Sequence, residues 1–563
     1  MSTCPSGGRP LPRVIALVLG GILSCALVPG AAARAAEGGF PFDVVPPDRW
    51  TGEPYELAGK RLVFASWYFV RPGGYGWVNE RGEGVSASRA KIGPWEATFR
   101  RADDAPRGVR LVVEKPERRG PIIPAERPWE AMGLSVRFIL REGNRYRAWG
   151  SCQDAEGKSY GCYFESDDGL RWTRPALGLV EHGGSRRNNL LDAAPHCVFL
   201  DPAAPPAERY KGVADGHVSV EEFRAFVQKH PDRWEHRALR QDAGFIAAVF
   251  GYVSPDGLRW KRLPEPFTIE HSDTQVIAGY NAARKKYFIF TRNYFVGARS
   301  PRAPDDPGHM SWLGESRGSG RRSIGYTESD RFADFPLSQV ILTPRPDVAP
   351  SQLLYTNCYT TIPGAPECHL LLPTVWDTTD DATHLEMATS HDGRVWSWLG
   401  GPLMHTAPFG QFDGGSVFWH PNLVELASGD FALPYTGYAF PHKYPRGAWS
   451  YRPGYAVWPK GRLVAVEAVE TGEFSTVSFF PPGRKLRINA LTRRAGSIRV
   501  AVTRRFGDYL PGRSFDDAVP FVGDQAWTPI RWKTGDELPS RPGEPIALCF
   551  RLDRARLYGV EFE

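Results

Sequence analysis

The chain has 563 residues, 42% hydrophobic and 23% charged, a balance that excludes an intrinsically disordered protein and allows two or three folded domains. Its net charge is +6, with Lys and Arg dispersed along the sequence, so no basic patch asks for nucleic acid as a partner. The 59 Gly and 50 Pro demand many turns, and the 18 Trp suit packing between sheets or stacking on sugars.

The N-terminus reads as an export signal. Arg9 and Arg13 form its charged region, Val14 to Val28 its apolar stretch, and Ala33-Arg34-Ala35 a small-x-small cleavage site. The expected signal covers residues 1–36, and the mature protein is expected in the periplasm or outside the cell. The stretch is too short for a stable transmembrane helix, and no other segment is apolar enough to span a bilayer. Beyond the signal six cysteines remain, at 152, 162, 197, 358, 368 and 549. Cys152 with Cys162, and Cys358 with Cys368, each flank a short turn. Each pair reads either as a disulfide staple, which export permits, or as two buried thiols. No CxxC or paired-His spacing accompanies them, so neither metal nor cofactor is expected.

Residues 37–128 read as an N-terminal β-rich region, closed by the extended segment Pro121-Ile-Ile-Pro-Ala-Glu-Arg-Pro128. From Trp129 onward one motif recurs: Ser166-Asp-Asp-Gly-Leu-Arg-Trp172, Ser254-Pro-Asp-Gly-Leu-Arg-Trp260 and Ser390-His-Asp-Gly-Arg-Val-Trp396. A worn copy is Ser329-Asp-Arg-Phe-Ala-Asp-Phe335. Asp-Gly makes a tight turn, and the aromatic then packs between neighbouring sheets. A strand-turn-aromatic unit repeated at this length predicts a β-propeller, here of five blades over 129–465. Val220 to Lys229 reads as a helical insertion. Gly216 imitates the sixth position of a calcium loop, but Lys211 and Val213 then stand where oxygen ligands belong. Residues 466–563 alternate as antiparallel strands and predict a C-terminal β-sandwich. The expected fold class is all-β.

Several stretches carry a resemblance. They include Arg127-Pro-Trp-Glu130, Tyr146-Arg-Ala-Trp149, Leu177-Gly-Leu-Val-Glu181 with Asn188-Asn189, and Arg322-Ser-Ile-Gly325. Tyr355-Thr-Asn357, Phe412-Asp-Gly-Gly415 and Leu557-Tyr-Gly-Val-Glu-Phe562 belong to the same set. Together they resemble exported bacterial propeller proteins similar to glycoside hydrolase family 32, and the propeller resembles families 43, 62, 68 and 130. The resemblance implies a glycosidase acting on a poly- or oligosaccharide. The Asn-Asp-Pro-Asn and Arg-Asp-Pro motifs of family 32 are absent, and Glu367-Cys368 only echoes its Glu-Cys pair.

Glycosidic cleavage needs carboxylates that converge from separate blades. The expected catalytic set is Asp273, Asp413, Glu130 and Glu367. The first three stand just before the first strand of a blade, and Glu367 follows one. Arg292, Arg322, Asn357 and His442 are the expected substrate-binding residues; clustered Arg would also suit an anionic sugar. Three readings stay open: a hydrolase, an inert propeller that binds glycan or protein, and a phosphorylase-like enzyme.

Overall fold

In the computed structural model the described residues are 52–563, apart from 74, 80, 82–97, 102–104, 194, 241–243, 296–320, 445–449 and 505–507. The chain divides after Glu53, and the second unit, Pro54–Glu563, is compact. The expected export signal lies outside the described residues. The second unit is all-β. Among its described residues one α-helix occurs, Val220–Lys229, started by a capping box between Ser219 and Glu222. No helix among the described residues is long and apolar enough to cross a membrane.

The repeated motif folds the same way three times. The amides of Gly169, Gly257 and Gly393 each donate to the preceding Ser hydroxyl at 2.9 Å. The next two amides donate to the Asp carboxylate at 2.8–2.9 Å in every copy. All three glycines sit at φ 74–75°, the left-handed region that a side chain resists. Two of these turns are clasped by a neighbouring sheet. Trp149 Nε1 donates to the Gly257 carbonyl at 2.6 Å, and Tyr455 Oη donates to the Gly169 carbonyl at 3.0 Å. In the worn copy Phe335 is fully buried and packs on Phe267, with ring centroids 5.0 Å apart.

Antiparallel sheets follow one another along the chain. The first contains Gly133–Glu142, Arg145–Gln153, Ser159–Ser166 and Leu190–Leu191. The second is built on Cys197–Leu200, Tyr210–Val218 and Phe245–Ser254. The third runs Ile277–Asn281, Lys286–Phe295, Arg321–Ser329 and Gln339–Leu342. The fourth group falls into two four-stranded halves, begun by Gln352–Leu354 and Tyr359–Ile362, with Cys358 at φ 44° between them. The fifth contains Ser416–Trp419, Phe431–Tyr438 and Tyr451–Trp458. Its outer strand comes from far back in the chain: Glu117–Arg119 pairs with Tyr455 to Val457. A parallel contact between Tyr451 and Gly133 then joins the fifth sheet to the first.

The C-terminal strands Val464–Ser475, Leu486–Arg504 and Ile546–Phe562 belong to one connected sheet of eight strands. Tyr55–Glu56, Arg61–Val63 and Arg110–Val113, all from the region before residue 128, are part of it. Bulges bend its longest strands near Asn489 and Thr492.

The six described cysteines form no disulfide. Tyr359 pairs with Leu371, which leaves Cys368 several residues along its strand from the position facing Cys358. The Cys358 thiol donates to the Trp419 carbonyl at 2.7 Å, whereas that of Cys368 reaches the Val63 carbonyl at 3.8 Å. The staple reading of this pair is therefore corrected: strand register, not chain separation, sets the distance between Cys358 and Cys368.

Candidate functional site

A cavity of about 490 Å³ is lined from all five sheet groups. Ser135 and Arg137 come from the first, His196 and Asp215 from the second, and Asp273 and Gln275 from the segment entering the third. Tyr355 belongs to the fourth; Phe418, His420, Tyr438 and His442 belong to the fifth.

Asp273 is held ionised. Its carboxylate forms an ion pair with Arg292 and lies 3.5 Å from His271 Nε2. Burial alone would raise its pKa, but Arg292 and then His271 hold it well below the usual carboxylate range. The Arg292 side chain is 2% exposed and that of Asp273 44%, so the arginine supports from behind while the carboxylate faces the cavity. Arg322 is buried nearby, its guanidinium 4.6 Å from the ring centroid of Tyr355 and 5.6 Å from that of Trp376. His442 packs edge-on against Tyr355, Phe418 and Trp376, with centroids 4.7–5.3 Å apart. These rings make one wall aromatic.

Asp215 is a second carboxylate on the same cavity, 3.1 Å from His196 Nδ1. Burial lowers the pKa of His196, against the pull of Asp215. Burial, with Arg137 and His196 beside it, pushes His420 down to about 3. Both imidazoles are therefore neutral near pH 7.

Gln275 ties the base of the site together. Its side-chain oxygen accepts from the amides of Asn357 and Cys358 at 3.2 and 2.6 Å, and its nitrogen donates to the Trp419 carbonyl at 3.1 Å. Asn357 in turn donates to the Gln275 carbonyl at 2.9 Å, so its amide joins sheets and does not line the cavity.

The convergence of Glu130, Asp273 and Asp413 on one cavity is not found, since only Asp273 lines it. Glu130 is fully buried, accepting from Arg174 Nε and Nη2 at 2.7 and 2.9 Å and from the Glu126 amide at 3.0 Å. Asp413 is fully buried against Arg118 and accepts from Tyr435 Oη at 2.7 Å. Both stand before a strand as expected, but an arginine from another segment draws each aside. Glu367 lies on Ala365–Leu371 and is not a lining residue; burial raises its pKa.

Sequence reasoning alone misses Asp215, His196, Arg137 and Gln275. Asp215-Gly216 is visible in the sequence only as an imitation calcium loop. Arg137 gives no signal, because an arginine within an apolar strand reads as a solvent-facing charge; it sits at a bulge, where Val136 pairs with Gly150 and Phe138 with Trp149.

No family model matches the chain, and no curated protein matches its sequence. Among solved structures the chain is similar to an α-L-arabinofuranosidase from Podospora anserina in complex with cellotriose, at 11% identity and a TM-score of 0.37, covering 62% of this chain and 98% of that one. It is also similar to a family 32 β-fructofuranosidase from Bombyx mori, at 8% identity and a TM-score of 0.32, covering 78% and 95%. A third similar structure is a thermostable family 43 glycoside hydrolase, at 11% identity and a TM-score of 0.35, covering 59% and 92%.

Proposed function

We propose that the protein is an exported carbohydrate-active enzyme that hydrolyses a glycosidic bond in its central cavity. The observation that carries this reading is the pair Asp215 and Asp273, brought from two sheets to one cavity of about 490 Å³. That volume suits one or two sugar rings. The five sheet groups act as five propeller blades, with Glu117–Arg119 closing the ring on the last.

In this reading Asp273, kept anionic by Arg292, acts as base or nucleophile at the sugar carbon. Asp215, beside His196, carries the proton to the leaving oxygen. Such a division of labour between two carboxylates in different environments is what glycoside hydrolysis requires. The aromatic wall of Tyr355 and Phe418 offers a face for the apolar side of a sugar ring.

The test is release of reducing sugar from a panel of polysaccharides by the purified mature protein, with and without inorganic phosphate. Hydrolysis that is independent of phosphate and lost in Asp273→Asn and Asp215→Asn supports the reading. Full activity in either variant overturns the assignment of that residue. Binding without turnover on the whole panel favours a glycan-binding protein instead.

A further inference from the structure

Arg137 stands apart from the buried arginines near the cavity. Arg292 is ion-paired with Asp273, and Arg322 is buried over two rings. Arg137 lines the cavity, and among the described residues it has no ion pair within 4 Å and no hydrogen bond. Its position is built. Along Gly133–Glu142 the residues Leu134 and Val136 enter one apolar cluster, Phe138 enters another and Ile139 returns to the first. Strict alternation would keep Val136 and Phe138 on one face. The bulge between them breaks that alternation at Arg137, which lines the cavity together with Ser135 two residues before it.

The surroundings narrow what Arg137 can hold. Among the charged residues that line the cavity, Asp273 is matched by Arg292 behind it and Asp215 is the proton-carrying acid of the reading above, so Arg137 is the lining charge left unmatched. His196 and His420 lie on the same cavity and are neutral near pH 7, so they add hydrogen bonds but no charge. One unmatched guanidinium suits a monoanion; a dianionic phosphate would leave a charge uncompensated.

We infer that Arg137 is a specificity residue that binds a singly charged substituent of the sugar, a uronic carboxylate or a sulfate ester, in the central cavity. The inference rests on the reading of that cavity as the sugar site. A carboxylate or sulfate would take two parallel N–H bonds from the guanidinium, with Ser135, whose hydroxyl is 2.9 Å from that of Ser151, as a neighbouring polar group.

The experiment is a binding titration of the mature protein, by calorimetry or ligand-observed NMR. The probes are glucuronate, galacturonate and glucose 6-sulfate, against glucose, galactose and inorganic phosphate. At least one charged sugar is expected to bind tenfold or more tightly than its neutral counterpart, and more tightly than phosphate. Arg137→Met is expected to remove that preference, and Arg137→Lys, which keeps the charge without the fork, to retain part of it. A carboxylate preference and a sulfate preference appear in separate arms. Equal binding of charged and neutral sugars, binding of none, tightest binding of phosphate, or an unchanged preference in a folded Arg137→Met protein overturns the inference. Because binding is read without turnover, failure here leaves the hydrolase reading to its own test. Tight charged-sugar binding with no hydrolysis removes only the latter.

Discussion

Arg292 and Asp273 form an ion pair in which the arginine is buried and the carboxylate faces the cavity. The arginine cannot reach a substrate without giving up Asp273, so its work is electrostatic. It favours the anionic form of Asp273 and lowers its pKa. Arg292→Met is therefore expected to move the acidic limb of the pH–rate profile upward, because protonation of Asp273 would then begin at higher pH. A pH series of kcat/KM on any substrate found by the panel checks this, and an unmoved acidic limb would separate Asp273 from the chemistry.

Asp413 and Arg118 make a different kind of pair. Asp413 is fully buried, and Arg118 is carried on the strand Glu117–Arg119 that completes the fifth sheet. Removing one partner of a buried pair strands the other, at a cost of about 3 kcal/mol where one side is partly exposed. Arg118→Met is expected to lower the unfolding midpoint in denaturant accordingly. Asp413→Asn is expected to keep its activity per folded molecule.

Glu270 is buried among Thr268, Thr291 and Ser338, three residues before Asp273. Burial first, and then Glu235, raise its pKa to about 7, with Arg237 pulling the other way. A carboxyl raised in the folded state lends stability that is complete below its unfolded value of 4.5 and is lost as pH rises through about 7. Denaturant midpoints from pH 5 to 8 should fall in the wild type, and Glu270→Gln should flatten that decline.

The repeated turns should be additive and local. Asp168, Asp256 and Asp392 each accept two backbone amides, as an N-cap residue does, and replacing each by Ala is expected to cost roughly 0.5–2 kcal/mol. Amides, led by that of Arg171, lower the pKa of Asp168 to about 2. Its contribution is therefore present above its unfolded value of 3.8 and fades as pH falls toward 2. Thermal melts of Asp168→Ala against wild type should differ at pH 7 and converge near pH 2.

Local chemistry was legible in the sequence. The three Asp-Gly turns, the helix started at Ser219, and the strand-rich, all-β character follow from residues that act on their own neighbours. Asp273 was legible too, as a carboxylate placed before a strand. What tertiary structure decided was direction and partnership. Glu130 and Asp413 have the same local setting as Asp273, yet Arg174 and Arg118, from other parts of the chain, fix them inside the protein. Arg137 meets the cavity because its sheet converges there with four other sheet groups, and Cys358 misses Cys368 because register separates them. A sequence records each side chain's chemistry and its near neighbours. Which distant charge it meets, and which face of a strand it leaves by, is settled only when the sheets pair.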